Sequence, residues 1–211
     1  GGHFHNDNSI TALRDIPGLV VGCPSRGDDA AMMLRTMMAL AKVDGRVCAF
    51  LEPIALYMTK DLYEAGDGLW LTDYPAPDQA MPLGEGRVYP PEAGGEGDDL
   101  VIFSFGNGVP MSLRAARAIT AKHGWKVRVV DLRWLVPLND AFIQAQAAGV
   151  KRIIVVDEGR SSAGVGEGVL ARAKAILATL EAGAALPGGK HASLRGRSKA
   201  GTTQLDLFAP P

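Results

Sequence analysis

Short apolar runs alternate with a longer segment of helical periodicity in the first 58 residues. The runs at 18–25 and 46–53 are apolar and rich in β-branched residues, and both end at Pro or Ser, so they predict two buried strands. Between them, residues 28–43 predict a helix, with two acidic side chains at the end where backbone N–H groups are free. We therefore expect a strand–helix–strand unit here.

The predicted helix at 28–43 carries apolar residues at helical spacing. This pattern, together with four Met in the same segment, favours a face that packs against the core over an adaptable binding surface. The residues that carry the spacing are Ala31, Leu34, Met38 and Ala41.

A second alternating block begins near residue 99 and predicts a parallel sheet. Successive strand–helix–strand units imply parallel strands joined by right-handed crossovers, and ligands gather at the carboxyl ends of such strands. Its predicted elements are strands at 99–106, 126–135 and 151–159 and helices at 111–124 and 139–149, with a further helix at 169–183.

Two segments lack the regular hydrophobic spacing of a packed helix or strand. Residues 59–98 are dense in Gly, Pro and Asp, which is typical of a linker or a surface excursion between domains. Residues 184–211 are small, basic and rich in Gly, Ser and Pro, and we expect them to be a disordered tail.

Composition narrows the class of protein. The chain has 22 Lys and Arg against 23 Asp and Glu, and this near-neutral balance argues against nucleic acid or an acidic membrane as a partner. No apolar run reaches the ~20 residues of a membrane helix, and no signal peptide is present. Cys23 and Cys48 show no metal or disulfide spacing, so reduced thiols are expected. These features predict a cytoplasmic protein.

The polar segment at the start of the chain is the first candidate for chemistry. His3 and His5 stand in a Gly-flanked run with Asn6, Asp7 and Asn8. Spacing alone leaves three interpretations open: a solvated surface segment, acid–base catalysis by an imidazole, or a metal site. The metal site is the weakest of the three because no further ligands of suitable spacing lie nearby.

A second candidate is the segment 157–164, which holds two carboxylates and an Arg at a strand end. Asp157, Glu158 and Arg160 favour a salt-bridged loop at an interface over a catalytic group. The Gly-rich stretches at 106–110 and 164–168 match neither the dinucleotide nor the P-loop pattern, so neither predicts phosphate binding.

Four motifs occurring in order carry a resemblance to a known family. They are PGLVVGCPS at 17–25, FLEPIALY at 50–57, VVDLRWLVPL at 129–138 and VVDEG at 155–159. Over roughly residues 1–170 the chain resembles the E1 component of thiamine-diphosphate-dependent 2-oxoacid dehydrogenases, either its β subunit or the C-terminal half of a fused chain. Transketolase and deoxyxylulose-phosphate synthase belong to the same transketolase-like superfamily.

The resemblance implies an α/β fold in two parts. Residues 1–58 would be the C-terminal part of a pyrimidine-binding domain, and 59–98 a linker. Residues 99–183 would form an incomplete transketolase C-terminal-like domain with a mostly parallel sheet. Because 184–211 does not resemble the family's last helix and strand, we expect an unrelated tail or a change of reading frame near 165–185.

The resemblance also implies an activity and a set of site residues. The activity is oxidative decarboxylation of a 2-oxoacid, pyruvate or a branched-chain acid, followed by acyl transfer to a lipoyl group on E2. His5 would be the catalytic residue of acyl transfer, since an imidazole moves protons near neutral pH. His3, Asn6 and Asn8 would line the substrate site, and Asp44 would belong to a monovalent-cation site.

The cofactors implied are thiamine diphosphate and Mg²⁺, whose ligands are not expected in this chain. The implied partners are an E1 α subunit or a missing N-terminal half and a lipoyl-bearing E2, in a dimer or heterotetramer without nucleic acid or membrane. We therefore expect a fragment that is inactive alone. Two alternatives stay open: a non-catalytic dimerisation or E2-docking module, and a piece of a transketolase-type ketol transferase.

Overall fold

The computed structural model describes residues 9–92, 99–181 and 204–208. His3, His5, Asn6 and Asn8 lie outside these residues. In the described part of the chain, no helix combines the length and the apolar character needed to cross a membrane.

The first block contains two helices and two parallel strands. Helix α2 begins directly after the turn that follows β1, with Asp28 and Asp29 in its first turn, as the sequence predicts. The elements are α1 (Ile10–Arg14), β1 (Val20–Gly22), α2 (Gly27–Val43) and β2 (Cys48–Phe50), followed by a short 3-10 helix at Ile54–Leu56. Strands β1 and β2 pair in parallel, which confirms the predicted strand–helix–strand unit.

The second block is built on a five-stranded sheet in the order β3-β5-β4-β7-β8. All neighbours are parallel except β3, which lies antiparallel to β5 at one edge. The strands are β3 (Arg87–Tyr89), β4 (Leu100–Ser104), β5 (Val127–Asp131), β7 (Arg152–Val156) and β8 (Gln204–Phe208). The helices are α3 (Gly108–His123), α4 (Asp140–Ala147) and α5 (Val165–Glu181).

The predicted strand 126–135 is in fact two strands that belong to different sheets. Strand β5 ends at Asp131, and β6 (Trp134–Val136) leaves the larger sheet to pair antiparallel with β1. The chain turns at Arg133, whose φ of 59° lies in the left-handed region that non-Gly residues seldom occupy. The three-stranded sheet β2-β1-β6 therefore combines β1 and β2 of the first block with β6 of the second.

The core joins the two blocks as well. Ile10, Leu19 and Val21 from the first block share one buried apolar cluster with residues of β4, β5, β7, α4 and α5. The opposite face of the larger sheet is covered by α3, whose Val109 and Leu113 side chains pack against apolar side chains of β4 and β5. Helices thus cover both faces of a mostly parallel sheet, the arrangement that the alternating pattern predicts.

Helix α2 buries a different face from the one predicted. Met33 and Met37 are buried against Trp134, whereas Leu34 is 44% exposed and Met38 65% exposed. The sequence could not discriminate between the faces because apolar residues recur at helical spacing on both sides of this helix.

The predicted linker at 59–98 holds ordered turns and one strand, β3. Arg35 of α2 donates to the carbonyl oxygens of Ala76 and Gln79 and lies over the Tyr74 ring, which fastens the segment to the helix. A carboxylate also organises the segment, since Asp67 accepts hydrogen bonds from four backbone N–H groups, those of Leu62, Tyr63, Glu64 and Leu69. The domain boundaries at 58 and 98 stay predictions.

The expectation of disorder throughout 184–211 is wrong for the five residues that the structure describes there. Gln204–Phe208 form β8, which pairs in parallel with β7. The stretch QLDLF alternates polar and apolar residues, a period of two that suits a strand but is too short to stand out in a polar, Gly-rich region.

Substitution of Gly86 tests how closely the 59–98 segment packs against the second block. A Cβ at Gly86 would collide with the Phe142 ring and lie 2.8 Å from the Asp131 carbonyl oxygen. We expect Gly86→Ala to lower the free energy of unfolding by about 1–3 kcal/mol because the backbone cannot yield. Chemical denaturation measures this.

Gly27→Ala is the matched control, since its new Cβ would meet only Thr72 Oγ1 at 3.4 Å in the first turn of α2. That variant should change stability by less than about 1 kcal/mol, and in the stabilising direction. Equal effects of the two substitutions would contradict the packing described for Gly86.

Candidate functional site

The structure shows the position of only one of the residues that the sequence proposes for the site. Asp44 caps the C-terminus of α2, where it is exposed and its backbone N–H donates to the Leu40 carbonyl. Within residues 9–92, 99–181 and 204–208, no group of three His, Cys, Asp or Glu side chains is placed to hold a metal ion. The roles of Asp44, His3, His5, Asn6 and Asn8 stay predictions.

The carboxyl ends of strands from both blocks meet at one place. Gly106, which follows β4, has a φ of +53°, and a Cβ there would lie 3.1 Å from Cys23 Sγ and 3.3 Å from Pro53 Cγ. Cys23 follows β1 and Pro53 follows β2. The Asn107 side chain donates to Glu158 at 3.3 Å, which brings in the end of β7. Residues from four strand ends, three of which carry a family motif, thus form one continuous region.

Cys23 is not a nucleophile in this region. Burial raises the pKa of its thiol, and the negative charges of Asp131 and Glu158 raise it further. The thiol therefore stays protonated at neutral pH, and thiols react as thiolates. This agrees with the prediction of a reduced core cysteine.

Asp157 shapes the loop between β7 and α5. It is buried, and its two oxygens accept hydrogen bonds from the backbone N–H groups of Gly159 at 2.7 Å and Gly166 at 2.8 Å. Because Gly166 lies in the first turn of α5, the carboxylate also meets the positive end of that helix. These bonds make Asp157 an organiser of the loop backbone, and the salt-bridged interface expected for this segment stays a prediction.

Helix α1 attaches the start of the described chain to this loop. Ile10 is buried in the core cluster shared by both blocks, and the Arg14 guanidinium donates to the carbonyl oxygen of Gly164. The backbone that directly follows the predicted catalytic segment is therefore fixed to the β7–α5 loop.

A cluster of buried polar side chains lies where the two sheets join, and we call it the polar junction. Its members come from the β1–α2 turn, the first turn of α2, β3 and the β5–β6 corner. They are Ser25, Asp28, Asp29, Arg87, Asp131 and Arg133.

Ion pairs connect the polar junction across 104 residues of sequence. Arg133 Nη2 lies 2.6 Å from Asp29 Oδ1, and both side chains are almost fully buried. Arg87 Nη2 lies 2.6 Å from Asp28 Oδ2 and 3.2 Å from Asp29 Oδ1. Each block thus supplies charges that the other neutralises.

Two carboxyl groups of the polar junction, those of Asp29 and Asp131, lack a full set of partners among the described residues. Asp131 accepts from the Arg133 backbone N–H at 3.1 Å, but its Oδ2 atom has no hydrogen-bond partner among the described residues. Burial raises the pKa of Asp131 to about 7; the adjacent Ser25 hydroxyl opposes this rise and the Asp29 charge adds to it. Burial also raises the pKa of Asp29, although Arg133 and Arg87 oppose it.

The pKa of Asp28 shifts in the opposite direction, because Asp28 is hydrogen-bonded to Arg87. Burial favours its neutral form, but the hydrogen bond and charge of Arg87 outweigh that cost and lower the pKa. The sequence analysis assigned Asp28 and Asp29 only to the helix terminus and missed the junction. The available signal was the pair of charged residues, Asp131 and Arg133, inside the apolar run VVDLRWLV.

The polar junction predicts a pH dependence of stability. Because the pKa of Asp131 is higher in the folded chain than its ordinary value near 3.9, the folded state binds more protons than the unfolded state between about pH 4 and pH 7. Stability from this group is present at the acidic end and declines as pH rises to about 7. We expect Asp131→Asn to reduce this decline, which amounts to on the order of 1–3 kcal/mol. Thermal unfolding at pH 5 and pH 8 measures it.

Asp99→Asn provides the control, because Asp99 is paired with Lys151 at 2.6 Å and its pKa is lowered by the Lys126 backbone N–H and by Lys151. A lowered pKa changes stability only in more acidic solutions, so this variant should keep the parent's difference between pH 5 and pH 8. An unchanged difference in Asp131→Asn would rule out the role of Asp131.

Comparisons with known proteins agree with this architecture. The family model described as "Transketolase, C-terminal domain" matches residues 92–200, about half of the chain. A solved structure described as a split-gene transketolase, an inactive β4 tetramer, is similar in fold with a TM-score of 0.57 and 21% identity, over 78% of this chain and 47% of that one.

Curated relatives match more of the chain, including the first block. The chain is 30% identical over 168 residues to the β subunit of 3-methyl-2-oxobutanoate dehydrogenase from Mycobacterium tuberculosis, with 80% of this chain and 42% of the relative covered. It is 31% identical over 180 residues to the pyruvate dehydrogenase E1 β subunit of Staphylococcus epidermidis, with 85% and 49% covered. It is 34% identical over 161 residues to 1-deoxy-D-xylulose-5-phosphate synthase of Anaeromyxobacter dehalogenans, with 76% and 22% covered.

A shorter match is to a protein of another class. The chain is 83% identical over 48 residues to the DNA mismatch repair protein MutS of Sorangium cellulosum, and the match covers 23% of this chain and 5% of that protein. The chain spans half or less of the length of all these relatives. The fold, the family model and the relatives that cover most of the chain lead to one conclusion: the chain belongs to the transketolase C-terminal domain family.

Proposed function

We propose that the chain is the β-type part of a thiamine-diphosphate-dependent 2-oxoacid dehydrogenase E1 component. In that role it takes part in the decarboxylation of a 2-oxoacid and in acyl transfer to a lipoyl group on E2. The observation that carries the proposal is the similarity to two dehydrogenase β subunits over at least four fifths of the chain, which spans both blocks.

The arrangement of the strand ends supports this proposal. Ligands and partner subunits of parallel α/β sheets gather at the carboxyl ends of the strands. Cys23, Pro53 and Gly106 meet there, and Asn107 and Glu158 join them. A region assembled from both blocks suits a protein in which the end of one domain acts together with the next domain.

The resemblance to the family implies that the ligands of thiamine diphosphate and Mg²⁺ belong to another part of the enzyme. We propose that an E1 α subunit or an N-terminal half supplies the ligands of thiamine diphosphate and Mg²⁺. This chain would then act in a heterotetramer with the α subunit and a lipoyl-bearing E2, in the cytoplasm.

His5 is the residue that we propose for catalysis, by resemblance to the family. A neutral imidazole takes up a proton and the imidazolium releases one. A His beside the acyl group would therefore give a proton to the sulfur that is released when the lipoyl disulfide is reduced and its other sulfur takes the acyl group. His3, Asn6 and Asn8 would line the same site. Asp44 would serve a monovalent-cation site at the exposed C-terminus of α2.

A second candidate is a 1-deoxy-D-xylulose-5-phosphate synthase-type enzyme, favoured by the 34% identity to such a protein. It is the less favoured of the two because that relative is covered over only 22% of its length. The sequence also lacks the extra His and Arg residues with which ketol transferases hold sugar phosphates.

Co-expression with an E1 α subunit tests the proposal. The complex should decarboxylate pyruvate or 3-methyl-2-oxobutanoate with an artificial electron acceptor, whereas the chain alone should not. Formation of 1-deoxy-D-xylulose 5-phosphate instead would favour the second candidate. A stable complex that binds E2 but turns over no 2-oxoacid would leave only the docking module and overturn the proposed activity.

In the active complex, His5→Ala should separate the two half-reactions. We expect acyl transfer to a lipoyl domain to slow by about 100-fold or more, because the proton has no carrier. Decarboxylation with the artificial acceptor should change much less. Stopped-flow assays of each half-reaction measure this.

His123→Ala is the matched control, since His123 is exposed at the end of α3 beside the Trp125 ring. It should leave both half-reactions at the parent's rates. Wild-type acyl transfer in His5→Ala would remove the catalytic role of His5 and leave the E1 assignment to the co-expression test.

A further inference from the structure

We propose that a cavity beneath α3 is an accessory binding site for a small carboxylic acid with a compact apolar body. The cavity has a volume of about 160 Å³ and lies between α3, the antiparallel edge of the larger sheet and the segment at 62–63. It opens on the α3 face of the sheet, where α3 packs against the second buried cluster. Binding at this cavity does not require the proposed E1 activity.

The interior of the cavity suits an apolar group of defined size. A cavity of about 150 Å³ lined by aliphatic side chains binds benzene, so this one accepts a phenyl ring or a branched chain of four or five carbons. Longer chains exceed the volume, and a two-carbon acid would leave most of it empty. The residues that form the apolar wall are Leu62, Leu113, Ala116, Val127 and Val129.

A guanidinium group at the cavity supplies the charge that a carboxylate needs. Arg117 lies with its guanidinium carbon 4.4 Å from the centre of the Tyr63 ring, and this stacking holds the group in a fixed plane. The Arg117 side chain makes an ionic contact with Glu92, at 3.8 Å between Nε and Oε2. The planar N–H groups of Arg bind carboxylates in a two-point arrangement.

The pairing with Glu92 is loose enough for a ligand to replace it. Both side chains are about half exposed, at 48% and 49%, and a surface pair of this kind contributes little to stability. A second guanidinium, that of Arg26, also lines the cavity and lies 4.8 Å from the centre of the Trp70 ring, but it already contacts Asp28 and donates to the Leu71 carbonyl. Arg117 is therefore the cation that would bind the head group, and the Arg26 charge adds to the attraction for an anion.

Binding of benzoate and 3-methylbutanoate to the full chain tests the site. We expect saturable binding of each acid, measured by ligand-detected NMR, with dissociation constants below about 10 mM. Arg117→Gln should weaken binding about 10-fold or more, since a charge-assisted hydrogen bond contributes 1.5 kcal/mol or more. Ala116→Phe should abolish binding because its ring would occupy the cavity.

Lys122→Gln is the matched control, because it removes a positive charge from an exposed position of the same helix outside the cavity. It should bind the acids as the parent does. Equal losses in Lys122→Gln and Arg117→Gln would overturn the site, as would the absence of saturable binding to the parent chain. Toluene binding as tight as benzoate binding, with no effect of Arg117→Gln, would overturn the assignment to carboxylic acids. Arg117→Gln keeps the test decisive if Ala116→Phe fails to fold, since Arg117 is exposed.

Discussion

The buried ion pair between Asp29 and Arg133 is the constraint on which the arrangement of the two blocks depends. Two charges removed from water are tolerated only when each neutralises the other at close range, and removing one partner of such a pair commonly costs 3–5 kcal/mol. Here the partners lie 2.6 Å apart and come from different blocks. The pair fixes the corner at which the chain leaves the larger sheet, and that corner delivers β6 to its position beside β1. Strand pairing, the left-handed turn at Arg133 and the buried charges therefore require one another.

Periodicity was sufficient for most of the fold because strands and helices of an α/β protein differ in their repeat. The strand–helix–strand unit of the first block and the parallel order of β5, β4 and β7 follow from that difference. Three features did not follow. The break inside 126–135 occurs at Arg133, and no sequence rule places a non-Gly residue in the left-handed region. Helix α2 is apolar on two sides, so spacing could not choose its buried face. Strand β8 is five residues long and carries too weak a pattern to stand out.

The candidate site was less accessible to sequence reasoning than the fold. The polar junction joins Asp29 to Arg133 across 104 positions, and no local pattern reports a contact of that range. Burial is the largest cause of the raised pKa of Asp131, with the Asp29 charge adding to it, and both are properties of the folded chain. Family motifs did include Cys23 and Pro53, two of the residues that approach Gly106 at the strand ends. The family resemblance thus identified the region of the strand ends, whereas the contacts among the charged residues of the polar junction are visible only in the structure.

The first block depends on the second for its core, and this bears on how a catalytic segment would be held. Ile10, Leu19 and Val21 contribute to a cluster that is completed by side chains from the sheet and helices of the second block. Two short strands and one long helix could not bury that surface by themselves. Arg14 adds a direct link to the loop that Asp157 organises. A change in the β7–α5 loop would therefore be transmitted to α1, and through α1 to the chain that precedes it. If His5 carries out acyl transfer as proposed, the helix that follows it in sequence is held by the C-terminal block as well as by its own domain.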